Sequence, residues 1–135
     1  MTASLAEPES FLAACKDGQR EEAESFLKRF AQRTHLWANA YDSNGRTALM
    51  LASQEGHCQV VRLLLERGAK VDLQDSKGWS ALMLACQAGH CEVAELLLES
   101  GADVDLQSLE WESAHSLALS HHNHKISHLI EEKVK

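Results

Sequence analysis

The chain has 135 residues, of which 13 are Lys or Arg and 20 are Asp or Glu, so its formal net charge is −7. On average that charge repels a phosphate backbone and an anionic membrane surface, which argues against nucleic-acid binding. Hydrophobic residues make up 44% and aromatic residues only 5%, which predicts one globular domain with an aliphatic core.

The N-terminal residues 1–8 have neither the basic start nor the apolar run of a secretory signal, and we expect them to be flexible. No run of about 18 apolar residues occurs, so direct membrane insertion is not expected. The four cysteines are too few for a disulfide-stapled secreted domain. We therefore predict free thiols in a soluble cytoplasmic protein, with the nucleus as the alternative compartment.

Residues 9–41 are predicted to form a first, irregular unit. Segments 12–18 and 22–27 resemble the two helices of the units that follow. The spacing to the next unit is about five residues too long, so segment 28–34 should lengthen the second helix or its loop. Trp37 falls on the connecting segment and is predicted to be structural.

Residues 42–74 and 75–107 form an internal repeat. When the sequence is aligned with itself at an offset of 33 residues, 23 of the 33 positions in these two copies are identical. Almost every matched position is a Leu, Ala, Val, Gly or turn-forming Asp. Those are the positions that stacking of successive units would fix.

Each copy has the pattern of a helix, a turn, a second helix and a projecting hairpin turn. In the first copy the two apolar runs are 48–52 and 60–65, separated by Gly56 and His57. Gly68 follows the second run at the place where a left-handed residue would end the helix. Both helices are too short to be stable alone in water, so neighbouring copies must stabilise them.

The sequence resembles the ankyrin-repeat family, whose unit of about 33 residues has an Asp and Gly turn, a Thr-Pro-Leu-His helix start, a Gly-His turn and a Leu-rich run ending in Gly-Ala. Ala48 and Ala81 replace the family's usual Pro, and Met50 and Met83 replace its His. The resemblance implies an all-α repeat solenoid of about four units with hairpin connections. The matching positions, with their counterparts in the second copy, are Asp42, Gly45, Thr47, Leu49, Ala52, Gly56, His57, Val60, Leu64, Leu65, Gly68 and Ala69.

Residues 108–135 are predicted to form a C-terminal closing unit, in which Trp111 and His122 stand where the other units have glycines. A closing unit is expected to differ because one of its faces meets water. His121, His124 and His128 have a spacing that could place three imidazoles on one helical face for zinc. However, residues 121–123 fall on the predicted turn, so we predict no metal site.

The resemblance implies that the hairpin tips and the inner face of the first helices form a concave binding surface for another protein. Certain positions on this surface are not needed for packing of the repeats, and several of them differ between the two copies. Trp79 is the sharpest candidate, either as a binding anchor or packed against the next hairpin near residues 110–112. The predicted partner-binding residues are Asn44, Arg46, Gln54, Glu55, Lys77, Trp79, Gln87 and Trp111.

No catalytic motif is present in the sequence, so we predict a monomeric binding protein, an adaptor or the ankyrin domain of a larger protein, with no enzymatic activity and no cofactor. Four units in this length are also compatible with a second function, a small inhibitor resembling the ankyrin proteins that bind protein kinases or other enzymes. That alternative is an analogy at the level of the fold.

Overall fold

The computed structural model describes residues 6–29 and 38–134. Within these ranges it contains eight α-helices and no strand longer than an isolated bridge. The helices form four consecutive pairs. They are α1 (Ala6–Lys16) and α2 (Arg20–Arg29), α3 (Ala48–Glu55) and α4 (Cys58–Glu66), α5 (Ala81–Ala88) and α6 (Cys91–Glu99), and α7 (Ala114–Ser120) and α8 (His124–Val134).

The first helix pair begins earlier in the chain than predicted. Helix α1 begins at Ala6, inside the segment 1–8 that was expected to be flexible. Pro8 lies in the first turn of α1, where a helix tolerates proline because the N–H that it lacks would have no intrahelical partner there. Helix α2 ends at Arg29, and residues 30–34 and Trp37 lie outside the described residues.

The alanine that replaces the family's proline at each helix start is compensated by a capping side chain. The Met50 N–H donates to Thr47 Oγ1 at 3.2 Å at the start of α3, and the Met83 N–H donates to Ser80 Oγ at 3.3 Å at the start of α5. Such N-caps satisfy backbone donors that no intrahelical carbonyl can reach. The short first helices therefore begin at defined residues without proline.

The four pairs stack in two rows. The first helices α1, α3, α5 and α7 pack in sequence, and the second helices α2, α4, α6 and α8 pack in a parallel row. The aliphatic residues between the rows form one continuous core, as the composition predicted. Leu64 in α4 and Leu97 in α6 are completely buried in it.

Three hairpin turns project from the stack and are closed by the antiparallel bridges Tyr41–Thr47, Gln74–Ser80 and Gln107–Ser113. We call residues 42–46, 75–79 and 108–112 the first, second and third tips. Consecutive tips are joined by backbone hydrogen bonds, from the Ser76 N–H to the Asn44 carbonyl and from the Leu109 N–H to the Lys77 carbonyl, both at 3.0 Å. The predicted all-α solenoid with hairpin connections is confirmed.

The third tip keeps the backbone shape of the others without their glycine. Gly45 and Gly78 have φ values of 76° and 82°, and Trp111 has φ 66° in the equivalent position. A Cβ at Gly78 would lie 3.0 Å from the backbone of Ser108 and Leu109 in the next tip. No further tip follows Trp111 within the described residues, so a side chain fits there.

Ser53 is a buried polar residue whose hydroxyl has no hydrogen-bond partner among the described residues. The copy in α5 has Cys86 at this position, and α1 has Cys15 three residues before its glycine, both buried. We expect Ser53→Cys to raise the free energy of unfolding by about 1 kcal/mol, because it removes an unsatisfied buried hydroxyl while preserving shape.

Urea denaturation of both proteins measures this change in stability. The reciprocal variant Cys86→Ser should lose a similar amount, because it creates the same unsatisfied group in the next helix. A loss of stability in Ser53→Cys would show that the hydroxyl has a partner, such as a buried water.

Candidate functional site

The candidate site is the row of three tips together with the C-terminal ends of the first helices, which we call the tip surface. Asn44 and Lys77 are exposed on the first and second tips, and Glu55 and Gln87 are exposed near the ends of α3 and α5. Lys77 makes no ion pair with any described residue. Its charge is therefore available to a partner.

Side-chain and backbone hydrogen bonds hold each tip in one shape. Asp42 Oδ1 accepts the N–H groups of Asn44 and Arg46, and Asp75 Oδ1 accepts those of Lys77 and Trp79, all within 2.9–3.0 Å. In the third tip Ser108 Oγ takes the same role toward Glu110 and Glu112 at 3.2 Å. Residues on the tips are thus presented on a preorganised backbone, which lowers the entropic cost of binding.

Two of the predicted binding residues hydrogen-bond to each other. Arg46 Nη1 donates to Gln54 Oε1 at 2.9 Å, and Arg46 Nε lies 3.4 Å from Asp75 Oδ2 on the second tip. The Asp75 side chain is almost fully buried, so this ion pair is better shielded from solvent than an ordinary surface pair. Arg46 therefore ties the first tip to the second, and part of its donor capacity is already used.

The two tip tryptophans lie in different environments. Trp79 is partly buried and packs against the hydrophobic core. Trp111 is 78% exposed, and its neighbour Leu109 is 73% exposed. Of the two, Trp111 offers more free apolar surface to a partner, and tryptophan is enriched among residues that dominate binding energy.

Leu109 was not among the residues predicted from the sequence. Its counterparts in the first and second tips are Ser43 and Ser76, so an apolar residue at an otherwise polar tip position was the available signal. Tyr41, at the base of the first tip, is also exposed and was likewise missed. Exposed apolar side chains on one surface are a property of interaction sites.

The C-terminal histidines are divided between two helices. His121 caps the end of α7, while His124 begins α8, so a turn separates them. His128 Nε2 lies 3.1 Å from Glu132 Oε1 on the same helix. Among the described residues, no group of three or more His, Cys, Asp or Glu side chains is arranged to hold a metal ion.

All four cysteines are free, but their environments differ. Burial raises the pKa of the Cys15 and Cys86 thiols to about 12. Cys58 and Cys91 are partly exposed. Desolvation, reinforced by a hydrogen bond to Glu92, also raises the pKa of Cys58.

In the native protein at pH 8, we expect a thiol reagent to label Cys58 and Cys91 well before Cys15 and Cys86. The thiolate is the reacting form, and burial disfavours it and blocks access to it. Mass spectrometry of peptides from a labelling time course separates the two classes. Equal rates at all four positions would contradict the packing of α1 and α5, and fewer than four reactive groups after denaturation would indicate a disulfide.

No helix in the described part of the chain combines the length and the apolar character needed to cross a bilayer. A family model described as ankyrin repeats in three copies matches residues 10–108. The matched region covers most of the chain and runs from within α1 to the start of the third tip. Ankyrin repeats are in general modules of protein–protein interaction. The match and the stacked helix pairs together show that this chain belongs to the ankyrin-repeat family.

Proposed function

We propose that the protein is a protein-interaction module, an adaptor or the ankyrin domain of a larger protein, that binds its partner through the tip surface and performs no catalysis. The observation that carries this proposal is the third tip, where Leu109 and Trp111 expose large apolar side chains on a backbone fixed by Ser108. Such surface is costly to leave in water and gains free energy when a partner covers it.

The neighbouring tips supply polar groups that can give specificity. Lys77 and Asn44 are exposed, and Gln87 and Glu55 extend the surface onto the first helices. The hydrogen bond between Arg46 and Gln54 links the first tip to the end of α3. An apolar anchor surrounded by polar side chains is the usual composition of a non-obligate interface.

The units that accompany this proposal are 9–41, 42–74, 75–107 and 108–135, and each of the last three begins with a tip. A partner that spans two tips therefore contacts two units. We also propose a cytoplasmic location and a monomeric state, in keeping with the free thiols and the net charge of −7.

Trp111→Ala should reduce the amount of partner captured from cell lysate on immobilised protein, because hot-spot truncations cost about 2 kcal/mol or more. The melting temperature should remain almost unchanged, since the ring is largely in solvent. Quantitative mass spectrometry of the captured proteins, for wild type and variant side by side, measures the effect.

Leu119→Ala is the matched control, because Leu119 is a large apolar residue that is 47% exposed at the end of α7, outside the tips. The proposal requires one set of proteins to be lost with Trp111→Ala and kept with Leu119→Ala. Equal capture by all three proteins would show that recognition does not use the third tip.

A further inference from the structure

Each repeat presents the next one with groups that hydrogen-bond to its backbone. Asn39 Oδ1 accepts the Lys70 N–H at 2.7 Å, and one repeat later Asp72 Oδ1 accepts the Asp103 N–H at 2.8 Å. The partner in both cases is the segment that leads from the second helix to the tip, which contains a turn at residues 71–72 or 104–105 and which we call the arm. The same side-chain position, 33 residues apart, thus binds the same backbone position twice.

Two further contacts accompany the second, between Asp72 and Asp103. Gln74 Nε2 donates to the carbonyl of Gln107 at 3.1 Å, and the tip carbonyl of Lys77 accepts the Leu109 N–H at 3.0 Å. All of these groups recognise main-chain atoms, so they do not depend on the sequence of the arm that they bind. They define, on each repeat, an edge that hydrogen-bonds to the backbone of the next arm.

This edge recurs on the far side of the third tip. The equivalent groups, 33 residues on, are the Asp105 carboxylate, the Gln107 side-chain amide and the Glu110 carbonyl. None of the three has a hydrogen-bond partner among the described residues. The edge is therefore formed, in the same register, with no arm bound to it in the described part of the chain.

Beside this edge lies an open groove of about 400 Å³, lined by residues that include Val104, Asp105, Gln107, His115, Ile130 and Glu131. His115 replaces Leu49 and Leu82, which are buried against the neighbouring repeat in the two internal copies. It instead lies 3.1 Å from Glu131, with 38% of its side chain exposed. The polar pair of His115 and Glu131 makes the groove unfavourable for packing of an apolar helix from another repeat. The groups that would bind an arm are nevertheless present beside it.

We propose that this C-terminal groove binds a basic peptide segment of a partner protein, in the place and conformation that an arm adopts in the internal repeats. Main-chain hydrogen bonds to Asp105, Gln107 and Glu110 would hold the segment, as in strand addition to a sheet edge. Asp105 and Glu131 in the groove favour a basic segment over an acidic one. The groove shares only the Glu110 carbonyl with the tip surface, whereas the proposed function depends on the exposed side chains of Leu109 and Trp111, so either proposal can fail without the other.

The chain itself supplies a probe. The probe is a synthetic peptide copying residues 67–76, the arm that binds to Asn39 and Asn44 in the folded protein, acetylated and amidated. Its two acidic residues are changed by Asp72→Asn and Asp75→Asn, so that Arg67 and Lys70 make the peptide basic. By the register of the repeats, its Lys70 and Ser76 N–H groups would donate to Asp105 and to the Glu110 carbonyl. Titration of the peptide into isotopically labelled full chain, followed by NMR, locates and quantifies its binding.

We expect saturable shifts confined to residues around 104–115 and 130–131. The same peptide with Lys70→Pro and Ser76→Pro should bind about five-fold or more weakly, because it lacks two backbone donors. A peptide copying residues 100–109, which has acidic Asp103 and Asp105 and no basic residue, should also bind more weakly. In the protein, Gln107→Ala should weaken binding about two- to ten-fold.

Leu119→Ala, which lies outside both the tips and the groove, should leave peptide affinity unchanged within about two-fold. Absence of saturable shifts up to about 5 mM peptide would overturn the proposal, as would equal binding of the proline-containing peptide. Concentration-dependent dimerisation of the chain that is abolished by Gln107→Ala would also overturn it, because the occupant would then be a second copy of this chain.

Discussion

Replacing Leu64 or Leu97 by Ala should lower the free energy of unfolding by about 2–5 kcal/mol, the range measured for buried leucines in protein cores. Both side chains are completely buried, and each lies on a second helix of only nine residues. A helix of that length is not stable alone, so its stability comes from packing against the helices on either side. Loss of the side chain therefore weakens two interfaces between repeats.

Urea denaturation followed by circular dichroism measures this loss. Leu109→Ala is the control, because Leu109 is 73% exposed and its truncation should change stability by less than about 0.5 kcal/mol. If the midpoints for Leu64→Ala and Leu97→Ala both coincide with that of Leu109→Ala, the stacking register described above is wrong.

The second large effect is expected at the tips. Gly78→Ala should destabilise the protein by about 2–4 kcal/mol, because Ala is strained at positive φ and its Cβ would meet the backbone of the third tip. Gly78 has φ 82°, and the nearest atoms, Ser108 Cα and Leu109 N, lie 3.0 Å from the Cβ position. Backbone atoms held by the hydrogen bond between Leu109 and Lys77 cannot move aside without breaking that bond.

Gly101→Ala separates strain from steric contact. Gly101 has φ 87°, but nothing lies within 4 Å of its Cβ position. This variant should lose only the cost of the left-handed conformation, about 1–2 kcal/mol. Calorimetric melting of both variants gives the difference. Equal destabilisation would mean that the second and third tips are not packed together in solution.

The helices and tips were predictable because each depends on local sequence that recurs at a fixed period. Gly68, for example, was expected to end a second helix in the left-handed conformation, and it follows α4 with φ 92°. Thr47 and Ser80 could also have been recognised as N-caps from the sequence, which explains why alanine is tolerated where the family has proline.

The environment of each tip residue could not be predicted in the same way, because it depends on which side of a turn faces the next repeat. Arg46 and Trp79 occupy equivalent positions, yet Arg46 reaches Asp75 and Gln54 while Trp79 packs on the core. The sequence left Trp79 undecided between binding and packing. Its partial burial favours packing, and the exposed surface lies instead on the third tip.

Trp111 lies at a tip position where the preceding repeats have glycine. The first and second tips require glycine at this place because the next tip approaches it closely. The sequence shows the glycine, but the close approach that requires it is visible only in the structure. Trp111 keeps the positive φ of those glycines and adds a large exposed ring. This departure from the repeat pattern places a large apolar ring at the position that we propose as the binding anchor.

Site-specific photo-crosslinking in cell lysate tests the proposed binding surface most directly. A photoreactive phenylalanine analogue is placed at Gln87, on the tip surface, or at Glu95, an exposed residue of the second helix α6. We expect one or a few discrete crosslinked proteins from position 87 that disappear when Trp111→Ala is added, and none from position 95. Crosslinks of equal yield from both positions, or from position 95 alone, would contradict binding through the tips.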